Sequence, residues 1–332
     1  MAAFEPQDDS EWLLYELGGL HRSQVLSTLA ALGVADCLHA AGSLTLGELQ
    51  QQVGSRQQGF ESLLRAGCGL GVLCEDPPDT FRLTVRGEWL RRERLGAFAA
   101  FLGSSTNWDP WSRFRSALRD GDDRTAFERT FGRRIYDHLA AHGDLAAEYD
   151  TAIDAFTRCE AAALCARIEL ETARLVVDVG GGRGALLAEL LAAAPHARGV
   201  LYDLPHVVEA ARSHLPARAD AVAGSFLDGV PANGDLYLLK HVLHNWPDDV
   251  AVRILRHCRE ARVADGRVVV VDAMLWPDNR PDLARMLDLE MRVLCGGRER
   301  RRSELRRLFT AAGLELVQVE ELVAGSWLFV GA

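Results

Sequence analysis

The sequence predicts an α/β protein: a doubly wound parallel sheet that ends in an antiparallel hairpin, preceded by a helical, winged-helix-like region. Three observations lead there. After Arg174, short apolar runs alternate with helical stretches, the pattern of strands covered by helices on both faces. The last two runs, LELVQVEE and SWLFVG, have only a short connection, which suits an antiparallel pair at a sheet edge. Before residue 100, apolar side chains recur mainly at helical spacing and then give way to two short β-like runs.

In chain order, Trp12–Leu32 reads as one helix, with Leu13, Leu17, Leu20, Val25, Leu29 and Leu32 on its apolar stripe and Gly33 suited to end it. In SLTLGELQQQVG, Thr45 precedes a short helix and Glu48 follows three residues on, a capping-box pair. A further helix is expected over Gln57–Leu70. GVLCE and TFRLT then read as a two-stranded wing separated by the turn-forming DPPD. Residues 101–166 read as helical and rich in aromatics, which suit a core and, in part, the lining for a flat substrate. The sheet begins at LVVDV, followed by a glycine loop and the helix ALLAELLAAA. GVLYD, DAVAG, DLYLL and RVVVVDA supply further strands, with VVEAARSHL and DDVAVRILRHCREARV as helices between them. The expected division is a helical domain at 1–100 and the sheet domain at 101–332.

Bulk properties exclude several classes. The 332 residues are 48% hydrophobic and 25% charged, as in ordinary globular proteins. A formal net charge of −10 argues against a nucleic-acid partner, which calls for a basic face. The local basic cluster GRERRRS, Gly297–Ser303, reads as a solvated helix start. No apolar run approaches the roughly 20 residues needed to span a bilayer. The polar, acidic start MAAFEPQDDSEW does not read as a secretory signal, so a cytoplasmic protein without a membrane partner is expected. Seven cysteines are scattered without a C-x-x-C pair, which favours buried reduced thiols over zinc or redox chemistry.

Two segments carry chemistry. DVGGGRG, Asp178–Gly184, joins a strand to a helix through glycines, which lets a ligand approach the backbone. Gly180, Gly182 and Ala185 also fit the looser dinucleotide fingerprint, so the loop alone leaves nicotinamide and methyl-transfer cofactors open. Asp203 closes the next strand, where a carboxylate can accept from both hydroxyls of a ribose. The second segment is LLKHVLHNWPDD. It holds His241 and His244 and the lone lysine of the chain, Lys240. A joint metal site at this spacing lacks a partner motif such as H-E-x-x-H.

Together with YDLPHV, AGSFLDGVP and GGRER, these segments resemble the S-adenosylmethionine-dependent small-molecule O-methyltransferases of the caffeate type, whose bacterial members modify polyketides and other aromatic natural products. The five motifs match in order and spacing, and the resemblance covers nearly the whole chain. It implies a Rossmann-like sheet domain and an N-terminal domain that forms a homodimer. It implies S-adenosylmethionine as cofactor, S-adenosylhomocysteine as product and no metal. Gly180, Gly182, Asp203, Leu204, Ser225, Phe226 and Lys240 fall at cofactor-binding positions, with Ser225 where many members have a carboxylate. His244 falls at the general base, flanked by Asp272 and Glu299. Asn245 stands where aspartate is commoner. Trp108, Phe156, Met286 and Asp288 resemble positions that line the pocket for a small aromatic acceptor.

Rival readings are a family member turned to hydroxylation or cyclisation, a winged-helix ligand sensor, and a nicotinamide dehydrogenase. The sensor needs a basic recognition helix, and Gln57–Leu70 holds only Arg65 as a clear base.

Overall fold

The structure, a computed structural model, describes residues 6–323 and 325–332, which fall into two compact units. One comprises the described residues through Trp108 together with Asp144–Cys159; the other comprises Asp109–Gly143 and Glu160–Ala332.

The first unit is mostly helical. The single helix expected over Trp12–Leu32 is two, Asp9–Leu17 and Gly19–Ala31, broken at Gly18. Two adjacent glycines weaken a helix there, and the Arg22 guanidinium takes the freed Tyr15 carbonyl. Gly33 adopts φ 70° after the second helix and opens a helix not foreseen, Val34–Ala41. The Thr45–Glu48 capping box forms at the start of Leu46–Gln52. The wing is a three-stranded sheet rather than a pair: β1 (Leu44–Thr45) joins β3 (Thr80–Leu83), which also pairs with β2 (Leu73–Glu75). Leu29, Val34, Leu38, Leu49, Phe60, Leu64 and Phe81 form the core of this unit.

The second unit is built on an eight-stranded sheet. Its strands are β4 (Leu175–Val179), β5 (Arg198–Asp203), β6 (Ala219–Ala223), β7 (Gly234–Lys240), β8 (Arg262–Leu275), β9 (Arg300–Arg301), β10 (Leu316–Glu321) and β11 (Ser326–Gly331). The order is β6-β5-β4-β7-β8-β11-β10, with the short β9 beside β8. The pairs from β6 through β8 are parallel, whereas β11 runs antiparallel to both β8 and β10. Side chains alternate between two apolar cores. Val176, Leu236, Leu238, Val269 and Val271 face one; Val177, Tyr237, Leu239, Val268, Val270 and Phe329 face the other. Both faces are covered, which is why these strands read as continuous apolar runs.

All seven cysteines are free thiols, but only Cys258 is fully buried; the others are half-buried. Among the described residues no single helix is long and apolar enough to cross a membrane.

The packing predicts an asymmetry on the terminal hairpin. Phe329 is fully buried and Val317 is exposed. Phe329→Ala should cost about 3–5 kcal/mol of the unfolding free energy of this unit, and Val317→Ala about 0.5 kcal/mol or less. Denaturant melts of the two variants check this, and equal losses would contradict the assigned faces.

Candidate active site

The strand order reverses around β4, with β5 on one side and β7 on the other. In open α/β sheets ligands bind outside the carboxyl ends of the strands at such a switch point. Here the carboxyl ends of β4, β5 and β7 bear the glycine loop, Asp203 and the Lys240–His244 turn.

Gly180 leaves β4 with φ 71°, and a Cβ there would come within 3.0 Å of the Val242 side chain. Only glycine keeps this path unstrained. The Asp203 carboxylate organises the loop: Oδ2 accepts the Gly182 N–H at 2.9 Å and Oδ1 accepts the Leu204 N–H at 2.7 Å. Burial raises the Asp203 carboxyl above its ordinary range. Asp178, beneath the loop, is pushed up to about 7 by burial and by Asp203. Leu204 is exposed. The Ser225 hydroxyl accepts the Leu227 N–H at 3.2 Å and so shapes the turn after β6. The Phe226 ring lies beside Gly180 and packs edge-on against Trp246, centroids 5.9 Å apart. An open backbone, a carboxylate at the ribose-side strand end and an adjacent aromatic face fit an adenosyl ligand.

The second half of the site follows β7. Lys240 is buried with its Nζ 2.8 Å from Glu160. Glu160, on the helix Gly143–Cys165, also accepts from the Ser326 hydroxyl and from His241 Nε2 at 3.2 Å. Burial opposes its ionisation, but His241 and Lys240 outweigh burial and hold its carboxyl well below the usual range. Burial and Lys240 pull His241 down, against the opposing pull of Glu160, toward which its Nε2 is turned. Its backbone sits at φ 54°, a left-handed conformation uncommon outside glycine. Asn245 secures that turn, its Nδ2 donating to the His241 carbonyl at 3.0 Å. An aspartate at 245 would lack this donor.

His244 lies on the short 3₁₀ turn Leu243–Asn245 and is buried. Its Nδ1 is 2.8 Å from Glu299 Oε1 and 3.8 Å from Asp272 Oδ1. Burial alone would lower its proton affinity, but Glu299 and Asp272 reverse that and raise it to about 9. Asp272 is itself pushed up to about 7 by burial, against the pull of His244.

The segment GGRER builds this arrangement almost residue by residue. A Cβ on Gly297 would fall 2.1 Å from the His244 carbonyl oxygen, so only glycine lets the two chains approach. The Arg298 N–H donates to that same carbonyl at 2.8 Å. Glu299 takes the His244 ring nitrogen, and its own N–H is held by Asp288 Oδ1 at 2.9 Å. Arg300, almost fully buried, donates to the Leu243 carbonyl at 2.8 Å, the Trp246 carbonyl at 2.6 Å and Asp248 Oδ1 at 3.0 Å. Three acceptors in fixed directions suit the guanidinium fork.

Donor atoms of His241, His244 and Asp272 lie within 4.8 Å of one another. The separations of 3.8 and 3.9 Å to Asp272 exceed the roughly 3.4 Å edge of a tetrahedral site with ligands at ~2.1 Å. These are charge contacts between side chains rather than metal-ligand spacing.

The structure thus brings His244, Asp272 and Glu299 together, and sets Gly180, Gly182, Asp203 and Phe226 at the strand ends. Asp288 holds the backbone of Glu299. Met286 is 58% exposed on the helix Leu283–Leu294. Trp108 and Phe156 belong to the first unit, where Phe156 stacks on Phe98 with centroids 5.0 Å apart. Sequence reasoning missed Glu160, the clamp made by Arg300 and the purpose of Asn245. A glutamate in the otherwise apolar EAAALC run was the available signal for the first.

Comparison with known proteins supplies the remaining context. A family model for an O-methyltransferase domain matches residues 111–315, and one for an O-methyltransferase dimerisation domain matches residues 16–93. A phenazine O-methyltransferase of Lysobacter antibioticus is 32% identical over 95% of this chain and 94% of its own. An aclacinomycin 10-hydroxylase of Streptomyces purpurascens is 32% identical over 97% of this chain and 88% of its own. Among solved structures, a methyltransferase of calicheamicin biosynthesis in its S-adenosylhomocysteine-bound form superposes with a TM-score of 0.84, at 32% identity and 99% coverage of both chains.

The site geometry predicts the effect of removing the Glu299 charge. Glu299→Gln should bring the His244 titration midpoint down from about 9 toward ordinary imidazole values. Histidine-ring NMR across a pH series reads it directly, and an unmoved midpoint would contradict the assigned ion pair.

Proposed function

Because the chain belongs to the S-adenosylmethionine-dependent O-methyltransferase family, we propose that it methylates an aromatic hydroxyl of a small natural product with His244 as general base. The observation that carries this reading is the buried Glu299–His244 pair, with Nδ1 engaged by the carboxylate and Nε2 left as the basic nitrogen.

S-adenosylmethionine supplies an electrophilic sulfonium methyl. Gly180, Gly182, Asp203, Leu204, Ser225 and Phe226 would hold it at the strand ends, with Lys240 nearby at the end of β7. An acceptor hydroxyl with a phenol-like pKa of ~10 must lose its proton as its oxygen attacks. An imidazole at its ordinary ~6.5 would face a gap of about 3.5 pK units, nearly 5 kcal/mol. Raising the imidazole toward about 9 narrows that gap to about one unit. Glu299 fixes the ring tautomer and stabilises the imidazolium as it forms, the part a carboxylate plays beside a catalytic histidine. Asp272 adds to that field. Trp108, Phe156 and Met286 are proposed acceptor contacts, and Asp288 acts through the Glu299 backbone.

The N-terminal 1–100 region is proposed to make a homodimer, leaving methyl transfer to 101–332. Trp12, Leu14, Leu17 and Leu20 are 52%, 69%, 65% and 49% exposed on its first two helices, an apolar face suited to a second copy. A cytoplasmic location and the absence of nucleic-acid or membrane partners remain part of this reading, in keeping with the net charge of −10.

A second reading is favoured by the similarity to the aclacinomycin 10-hydroxylase. On that reading the fold would run hydroxylation, or a related cyclisation, instead of transfer. Product mass separates the two, since transfer adds one methylene.

His244→Ala should keep cofactor binding while lowering turnover by roughly 10²–10⁴-fold. Calorimetric titration with S-adenosylhomocysteine and a methylation assay check both arms, and near-normal turnover would overturn the base assignment. Because the basic form is the unprotonated one, wild-type kcat/KM should rise with pH, about tenfold per unit, until His244 has lost its proton. That limb should lie above the ordinary imidazole value and no higher than about 9.

A further inference from the structure

Asp178 is the one charged side chain of β4. It is almost fully buried and lies directly against the glycine loop, since a Cβ on Gly181 would fall 2.5 Å from its Cγ and from its Oδ2. Oδ2, the oxygen turned to the loop, has no hydrogen-bond partner among the described residues. A carboxylate buried without donors costs stability, so such groups call for an account other than packing. One residue on, a Cβ at Gly182 would meet nothing within 4 Å, so the loop borders open space there. One layer of backbone thus parts the Asp178 carboxyl from the ground on which a ligand would lie.

The surrounding charges leave this carboxyl poised. Burial and the Asp203 carboxylate at the end of β5 push it up to about 7, against Lys240 at the end of β7 and the Leu187 N–H in the first turn of the helix Ala185–Ala193. Lys240 is itself engaged by Glu160, and Arg183 of the loop donates to His214. S-adenosylmethionine carries one more positive charge than S-adenosylhomocysteine, on the sulfonium that disappears with the methyl. A cation across one layer of backbone favours the ionised form of Asp178 by on the order of one pK unit or more. An uncharged thioether has no such pull.

We propose that Asp178 is a specificity-determining residue for the cofactor: it gives up its proton when the S-adenosylmethionine cation settles over the glycine loop, keeps it under S-adenosylhomocysteine, and so makes the site hold cofactor more tightly than product. This rests on the cofactor lying over Gly180–Gly182. Neither ligand has to touch the carboxyl, because charge acts through Gly181. By linkage, a ligand that lowers the proton affinity of a carboxyl binds more tightly as pH rises toward the ligand-free value, and the gain is complete above it. With the ligand-free value near 7, the preference for cofactor over product grows up to neutrality and then levels off. Methyl transfer removes the cation, Asp178 regains a proton from solvent, and the hold on the product weakens.

Calorimetric titration of the full chain with S-adenosylmethionine and with S-adenosylhomocysteine, without acceptor, tests this. In the wild type the ratio of the product Kd to the cofactor Kd should rise about five- to tenfold between about pH 5.5 and about pH 7.5. Asp178→Asn removes the titrating group and should flatten the ratio; Asp178→Ser takes its place if that variant fails to fold. At about pH 6.5, titrations in two buffers of different ionisation heat should show S-adenosylmethionine releasing more protons than S-adenosylhomocysteine, an excess that vanishes in the same variant. His244→Ala and Asp272→Asn remove other titrating groups of the site and should keep the rise. A flat wild-type ratio would overturn the inference, as would a rise that persists in folded Asp178→Asn or is lost in His244→Ala or Asp272→Asn. Asp203→Asn separates out a failure of the cofactor placement: unchanged affinity for both ligands would put the cofactor elsewhere. Weakened binding of both in Asp203→Asn, beside a flat wild-type ratio, overturns this inference alone.

Discussion

The contact between Glu299 and His244 Nδ1 is the constraint around which the site is organised. It joins the turn after β7 to the segment before β9, which are 55 residues apart in sequence. A 2.8 Å charge-assisted hydrogen bond in a buried setting works only if both backbones are fixed to within a few tenths of an ångström. The chain supplies that precision with backbone contacts rather than bulk. Gly297 permits close approach, the Arg298 N–H grips the His244 carbonyl, Asp288 grips the Glu299 N–H, and Arg300 ties down the carbonyls on either side of His244. The imidazole is set by its surroundings and not by its own short turn.

Charge is concentrated around that contact. Glu160, Asp272 and Glu299 are all buried, and they are met by His241, His244, Lys240 and Arg300. Buried ionic groups are costly unless paired, so this much burial at the strand ends is better explained by chemistry than by stability. Lys240 illustrates the point. A lone lysine would ordinarily be solvated, yet it is buried against Glu160. Together with His241 it holds the Glu160 carboxyl well below the usual range.

Much of this was legible in the sequence. Both-face burial gave uninterrupted apolar runs such as LVVDV and RVVVVDA, and these became β4 and part of β8. The short connection before SWLFVG became the antiparallel β10–β11 pair. The Gly18 break and the helix Val34–Ala41 were not legible, because an apolar stripe at helical spacing continues across a kink. The third wing strand has two residues, too short for any alternation. At the site, His244, Asp272 and Glu299 could be named because they occur within longer motifs. Glu160 could not, since its partners lie 80 and 81 residues away and meet it only through the fold. Asp288 was read as facing an acceptor, but its hydrogen bond to the Glu299 backbone depends on register between a helix and a loop that sequence does not reveal.

The central claim is that an acceptor hydroxyl meets the open nitrogen of a histidine whose other nitrogen is held by Glu299. A crystal structure with S-adenosylhomocysteine and a bound phenolic acceptor tests it most directly. The account predicts the reacting oxygen within about 2.6–3.2 Å of His244 Nε2, with Nδ1 still on Glu299. An acceptor oxygen seated against another group, with His244 Nε2 turned away from it, would contradict the account.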